Sequence, residues 1–207
     1  MSTHLHAAPT KSALLALGKQ VRFLEQGHDM LERKRELLTR VIFERLRNYR
    51  RLRRQVRARL ETAYHWLALA QLRMGGQMLR QSVLGLEPAL TVHILARSSV
   101  GVEYPSVSAE ALPLKPVALM WTDPSFDEAR IHLAQAALLL AQLGEAETAL
   151  WRLLGAQRKT QKRVNALRYN IIPDYQRTIR AIREALEENE RDSLFQLQRL
   201  REKGFGA

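Results

Sequence analysis

The stretch LLALGKQVRFLEQGHDMLERKRELLTRVIFERLRNYRRLRRQV, residues 14–56, decides the fold. Alternating steps of three and four residues along it select Leu14, Leu17, Val21, Leu24, His28, Leu31, Arg35, Leu38, Ile42, Arg45, Tyr49, Leu52 and Val56. Five of the six d positions are leucine and five of the seven a positions are apolar, with Arg, Lys and Glu frequent elsewhere. A 3.5-residue repeat held over about six heptads specifies a coiled-coil seam rather than the broader apolar stripe of a globular helix. The helix is expected over 10–74, opening after Pro9-Thr10 and ending at Gly75-Gly76, and at about 1.5 Å per residue it is nearly 100 Å long. His28 lies on the seam, where a polar a-position residue is expected to set register rather than to bind a metal.

Five of the seven prolines (Pro88, Pro105, Pro113, Pro116 and Pro124) fall after Gly75-Gly76 in one central stretch, so the chain on either side is free to be helical. Two overlapping start signals open a second long helix, expected over 125–203: Asp123 before Pro124, and Ser125 with Glu128 at capping-box spacing. Heptad spacing returns at Leu150, Leu153, Gln157, Thr160, Val164, Leu167 and Ile171. Beyond it Tyr175, Ile179, Ile182 and Leu186 approach the 3.6-residue step of a straight helix, so supercoiling is expected to weaken there. Pro173, which deletes an amide donor, is expected to bend the helix locally. A leucine row left in water costs roughly 1.5 to 3 kcal/mol per large side chain, so the two seams are expected to bury each other antiparallel.

The insert, 75–124, has the reverse character. Ala89 to Arg97 and Val100 to Val107 read as a β-hairpin turning at Ser98-Ser99, with register open. A short helix is expected within Met74 to Leu86, and Leu112 to Trp121 reads as extended chain packing on the hairpin. The expected fold is therefore mainly α: a long antiparallel two-helix coiled coil formed by the N- and C-terminal helices, with a small insert holding a β-hairpin and a short helix. Residues 1–9 are expected to be a flexible N-terminus and 204–207 a tail.

Composition excludes much chemistry. The 207-residue chain has no cysteine, which removes disulfides, thiolate metal sites and thiol nucleophiles. Met1 to Pro9 lacks the apolar core of a secretory leader, and the most apolar window, Leu133 to Leu143, is interrupted by Gln135 and Gln142 and is too short to span a bilayer. No phosphate-binding glycine loop, HExxH or GxSxG is present, and His4, His6, His28, His65, His93 and His132 include no pair at i, i+4. No catalytic, cofactor-binding or metal-binding residue is therefore expected.

The net charge of +12 first suggests a polyanionic partner. Its distribution argues otherwise: Lys11 to Glu61 holds 15 Lys/Arg against six Asp/Glu and Arg158 to Lys203 holds 12 against seven, whereas residues 81–127 hold two against five. The excess belongs to the helices. Its densest runs are Arg33-Lys34-Arg35 and Arg45, Arg47, Arg50, Arg51, Arg53, Arg54, Arg57 and Arg59, and Tyr49 is the sole aromatic available there for base stacking.

Lys162-Arg163-Val164-Asn165-Ala166-Leu167, Ile171-Ile172-Pro173, Leu186-Glu187-Glu188-Asn189-Glu190-Arg191 and Phe195 resemble the C-terminal helix of the D subunit of the V-type and archaeal A-type ATPases. Ala8-Pro9-Thr10-Lys11, Leu14-Leu15 and Gly27 to Leu38 resemble the opening helix of the same family. The resemblance implies a non-catalytic central rotor stalk, cytoplasmic and peripheral on the membrane. Its implied partners are the catalytic and regulatory ring subunits, the small F subunit of the stalk and the socket subunit of the membrane rotor, with neither nucleic acid nor direct membrane insertion. Arg33, Lys34, Arg35, Arg163, Asn165, Pro173 and Arg191 become candidate partner contacts. Two alternatives stand beside this reading: a basic coiled-coil nucleic-acid-binding protein, and the stalk of a secretion-system ATPase, which needs neither the hairpin nor the Asn-Ala-Leu and Ile-Pro pairing.

Overall fold

The computed structural model describes residues 8–117 and 122–204. His4, His6, the end of the stretch expected to be extended (Ala118 to Trp121) and residues 205–207 of the expected tail lie outside the described residues. In chain order the elements are α1 (Lys11–Met74), α2 (Gly76–Leu84), β1 (Leu90–Ser99), β2 (Val102–Ala111), α3 (Pro124–Ala166), a π-helical turn (Leu167–Ile171) and α4 (Ile172–Gly204). The fold is mainly helical: the long helices of the two halves pack together, with a hairpin and a short helix between them in sequence. Two compact units divide it, one joining the chain up to Glu36 with the chain from Arg158 onward, the other running from Leu37 to Gln157.

In the first unit, the start of α1 lies antiparallel to the end of α3 and to α4. Lys11 pairs with Glu190 at 2.8 Å, whereas Arg35 reaches Gln161 at 3.1 Å, so the partner number falls as α1 advances. Thr10 caps α1 by accepting the Ala13 amide on its hydroxyl, which supplies one of the first-turn donors with a partner. Leu17 and Val21 from α1 are buried with Thr160, Val164 and Ile182. Leu14, Leu24, Leu31, Leu167 and Leu186 are half-buried on the same unit.

Ile171, expected on this seam, is 38% exposed. Pro173 explains the difference. It offers no amide, and its ring crowds the carbonyl four residues back, that of Tyr169. The chain widens by one residue just before it: the Ile172 amide donates to the carbonyl of Leu167, five residues earlier, and the helix continues. Each residue of a π turn rotates less than in an α-helix, so the seven-residue step from Val164 to Ile171 falls short of the seam.

The second unit holds the rest of α1, the insert and most of α3. Arg59 donates to Gln135 and Arg73 pairs with Asp123, again in antiparallel order. Leu38 and Leu153 are fully buried, with Leu52, Val56 and Leu150 nearly so and Ile42 half-buried. The seam does not stop at Val56: Ala63 and Ala70 continue it at seven-residue steps, and Ala129 and Ala136 extend the Leu150 series backwards, all four buried. At the mouth of α3 the cap is Asp123, whose carboxylate accepts both the amide and the hydroxyl of Ser125. Ser125 is therefore a residue of the first turn and not the cap, and α3 begins at Pro124, one residue before the expected start.

The hairpin differs from expectation in its turn. β1 and β2 pair antiparallel from Leu90 opposite Ala111 to Ser99 opposite Val102, so the loop is Val100-Gly101 rather than Ser98-Ser99. A two-residue hairpin loop whose twist matches the strands needs positive φ at both positions. Gly101 (φ 71°) adopts it without strain; Val100 (φ 54°) is a β-branched residue forced into it by the pairing on either side. The Leu112 amide adds one more bond, to the Ala89 carbonyl, and the chain beyond is tied down by Lys115, whose ammonium pairs with Glu87 and whose carbonyl accepts from Arg130.

Candidate functional site

Two surfaces and one polar layer between helices gather the residues singled out above. The first surface is the arginine run of α1. At about 100° per residue, Arg47, Arg50, Arg54 and Arg57 fall on the side of the helix away from the buried Leu52. Arg57 pairs with Glu61 at 3.0 Å and Arg51 donates to Asn48 at 3.0 Å. Arg47, Arg50, Arg53 and Arg54 are exposed and have no hydrogen-bond or ion-pair partner among the described residues. Like charges three and four residues apart each cost an isolated helix about 0.2–0.5 kcal/mol, so this face opposes the helix that carries it.

The second surface is the docked hairpin. Arg45 occupies a d position of the heptad reading, yet its guanidinium leaves the seam: it donates to the Tyr104 hydroxyl and stands 4.4 Å from the ring centroid. Tyr104 is only 5% exposed. The Val107 amide donates to Glu145 at 2.8 Å, and Arg152 donates to the Glu103 carbonyl at 3.0 Å. Between them Pro105 has no amide to satisfy. Helical side chains thus occupy the outer edge of β2, which blunts a strand edge that would otherwise be open to pairing. Val92, Ile94 and Leu95 of β1 remain exposed.

The polar layer lies in the first unit, half-buried at Glu32, Arg35 and Gln161 and exposed at Asn165. Arg35 donates one nitrogen to Glu32 and another to Gln161, and Gln161 in turn donates to Asn165 at 2.8 Å. Arg35 and Asn165, two separate motif residues in sequence, are thereby linked. Arg33 and Arg163 point to solvent, Lys34 is half-buried, Arg191 lies 3.7 Å from Glu188 on the surface of α4, and Pro173 follows the π turn. Glu32 and Gln161 were not singled out from sequence; each lies within four residues of a flagged position, which is the signal that would have found them.

Hydrogen bonds shift two carboxylates. The Ser125 hydroxyl and amide, with a smaller contribution from Arg73, hold Asp123 below the usual carboxylate range. The Lys11 ammonium does the same to Glu190, and Glu190 raises Lys11 in return, first by hydrogen bonding and then by charge. A depressed carboxylate contributes stability above its unfolded pKa and loses it as pH falls through its folded value. Protection of the amides of residues 125–127 and 11–14 from hydrogen exchange is therefore expected to fall first on acidification below about pH 4. All three groups are solvent-accessible, so the effect is local and small; protection around Leu153 is expected to stay constant while helix content does.

Among the described residues no three His, Cys, Asp or Glu side chains gather to hold a metal, and no helix is long and apolar enough to cross a membrane. The geometry defines a paired-helix protein with an appended, edge-protected hairpin. The chain belongs to the family of ATP synthase D subunits, whose profile it matches over residues 13–202. It is 34% identical over 200 residues to the V-type ATP synthase D subunit of Thermotoga neapolitana, covering 96% of this chain and 98% of that one. It is 32% identical to the A-type ATP synthase D subunit of Pyrococcus furiosus, over 95% and 94% of the two chains. The A-type ATP synthase D subunit of Methanosphaera stadtmanae is likewise 32% identical, over 91% of this chain and 90% of its own.

Proposed function

We propose that this chain is the non-catalytic central-stalk subunit of a V-type or A-type rotary ATPase. It carries torque between the ring where ATP is made or hydrolysed and the rotor that moves ions across the membrane. The observation that carries the reading is the antiparallel pairing of α1 with α3 and α4: twin helices resist bending and twisting as a single helix does not. Its partners are the catalytic and regulatory ring subunits, the small F subunit of the stalk and the socket subunit, on the cytoplasmic face of the membrane.

Two features of the surface support this. Beyond Glu190, where α1 has its first turn, α4 exposes Leu194, Phe195, Leu197 and Leu200 over two turns, an apolar face suited to enclosure by a ring. The unpaired arginines of α1 supply the opposite kind of contact. A shaft turning in a sleeve works best with weak, repeated polar contacts, since one deep apolar minimum would hold a single angle.

Replacing Arg50, Arg51, Arg53 and Arg54 with Gln is expected to leave far-UV circular dichroism unchanged, because all four are exposed. Coupling between ATP hydrolysis and ion pumping in the reconstituted complex is expected to fall several-fold. Unchanged coupling with the variant fully incorporated would overturn the proposed role of this face. Failure of the wild-type chain to assemble with the ring subunits would overturn the stalk assignment itself.

A further inference from the structure

We infer that Glu32, Arg35, Gln161 and Asn165 form a register lock, a polar layer that selects one alignment of the two helices of the first unit at a cost in stability. Heptad seams of repeated leucine and valine are degenerate. Sliding one helix past the other by seven residues returns apolar side chains to apolar side chains, so burial alone discriminates weakly between alignments. Polar side chains at the seam reduce that degeneracy, because only one alignment lets them bond across the interface.

The geometry of the layer fits this role. Arg35 sits at a seam a position and is only a third exposed, as is Glu32, so its charge is partly withdrawn from water. Glu32, one turn earlier on the same helix, neutralises that charge, and Gln161 across the interface takes a second guanidinium nitrogen. Asn165 then holds the Gln161 amide group, which fixes which end of that side chain faces Arg35. A slip of one heptad sets Arg35 opposite Arg168 in one direction and opposite Leu154 in the other. Either removes the Gln161 acceptor across the interface while the Glu32 pair moves with Arg35, and a hydrogen bond lost by a charge partly withdrawn from water costs more than a mismatched methyl group.

Position explains why a lock is needed here. Asn165 stands two residues before the π turn, where the helix gains a residue relative to its partner. From Arg35–Gln161 to Lys11–Glu190 the pairing advances 24 residues on α1 but 29 on the partner side, so equal steps do not hold across the turn. A coil whose count changes at one point needs its alignment defined beside that point. Lys11–Glu190 is too exposed to do so, since surface pairs contribute little.

The test uses the full-length chain, which has no cysteine of its own. Spin labels on Gln20→Cys and Glu184→Cys, both exposed and in the same unit, report the alignment by pulsed electron–electron distance measurement. The parent is expected to give one narrow distance. Replacing three of its four residues by leucine (E32L/R35L/Q161L) is expected to raise the thermal midpoint while adding a second distance population. Slips of about 5 Å for three or four residues, or about 10 Å for a heptad, set the scale. Gln161→Glu, which keeps an acceptor for Arg35, is expected to retain the single distance. Gln161→Leu alone, which removes the acceptor of Arg35 across the interface, is expected to lower the midpoint. A single narrow distance in the apolar variant, equal to the parent's, would overturn the lock, and so would a raised midpoint in Gln161→Leu.

Discussion

Leu153→Ala is expected to lower the free energy of unfolding by about 2–5 kcal/mol, the range for truncating a buried leucine. Leu153 and Leu38 are both fully buried large side chains in the second unit. The cost depends on how far the surroundings can close over the lost atoms. Here long, continuously hydrogen-bonded helices move little to fill a gap, and the methyl group of the buried Ala149, one turn away, is too short to swing inward. The upper half of the range follows. Trp151, two residues away and 66% exposed, provides the control: Trp151→Ala is expected to change stability by no more than about 0.5 kcal/mol. Urea denaturation followed by circular dichroism measures both, and a loss at Leu153 below about 1 kcal/mol would show that this seam position does not carry the packing assigned to it.

The ease with which different parts were read from sequence follows the size and reach of the side chains involved. Large residues at heptad spacing were legible: Leu17, Val21, Leu38, Leu52, Val56, Leu150, Leu153 and Val164 are buried where their spacing puts them. Ala63, Ala70, Ala129 and Ala136 occupy the same kind of position and were not read, because alanine is common on every face of a helix and carries little periodic signal. They matter for the opposite reason to leucine, since a side chain of a single methyl group lets two backbones approach. The hairpin was legible as a hairpin but not in its turn, because Ser98-Ser99 carries stronger turn propensity than Val100 and only the pairing across the strands compels Val100 to positive φ. Pro173 was legible as a perturbation; that it is absorbed by a wider turn, which rotates Ile171 out of the seam, depends on the whole helix continuing beyond it. The candidate surfaces were legible where charge alone defines them, as in the arginine run. They were not where two distant segments meet, as in Arg45 with Tyr104 and Arg35 with Gln161, because neither partner's sequence neighbourhood contains the other.

Tyr104→Ala is expected to destabilise the protein by about 3 kcal/mol and to release the hairpin from the helices before anything else unfolds. Tyr104 is the buried side chain of β2, and among the described residues the hairpin has no other sheet to lean on: two strands alone are marginal in water. The ties of β2 through Val107 to Glu145 and Glu103 to Arg152 are single hydrogen bonds of roughly 1 kcal/mol each and hold it weakly once the ring is gone. Hydrogen exchange from Leu90 to Ala111 is expected to accelerate while α1 and α3 keep their protection. Tyr104→Phe separates the two parts of the contact. The ring stays and only the hydroxyl is lost, so the expected cost is about 1.5–3 kcal/mol, that of a bond from a charged donor. The converse substitution is the sharper test. Arg45→Leu restores leucine to a d position of the seam and, if the seam were all that mattered, should stabilise the coil. Because Arg45 is the partner of a buried hydroxyl, the same change leaves that oxygen unsatisfied and removes the cation over the ring. Arg45→Leu is therefore expected to destabilise, with faster exchange in β2, and a gain in stability would mean that the arginine serves the surface and not the hairpin.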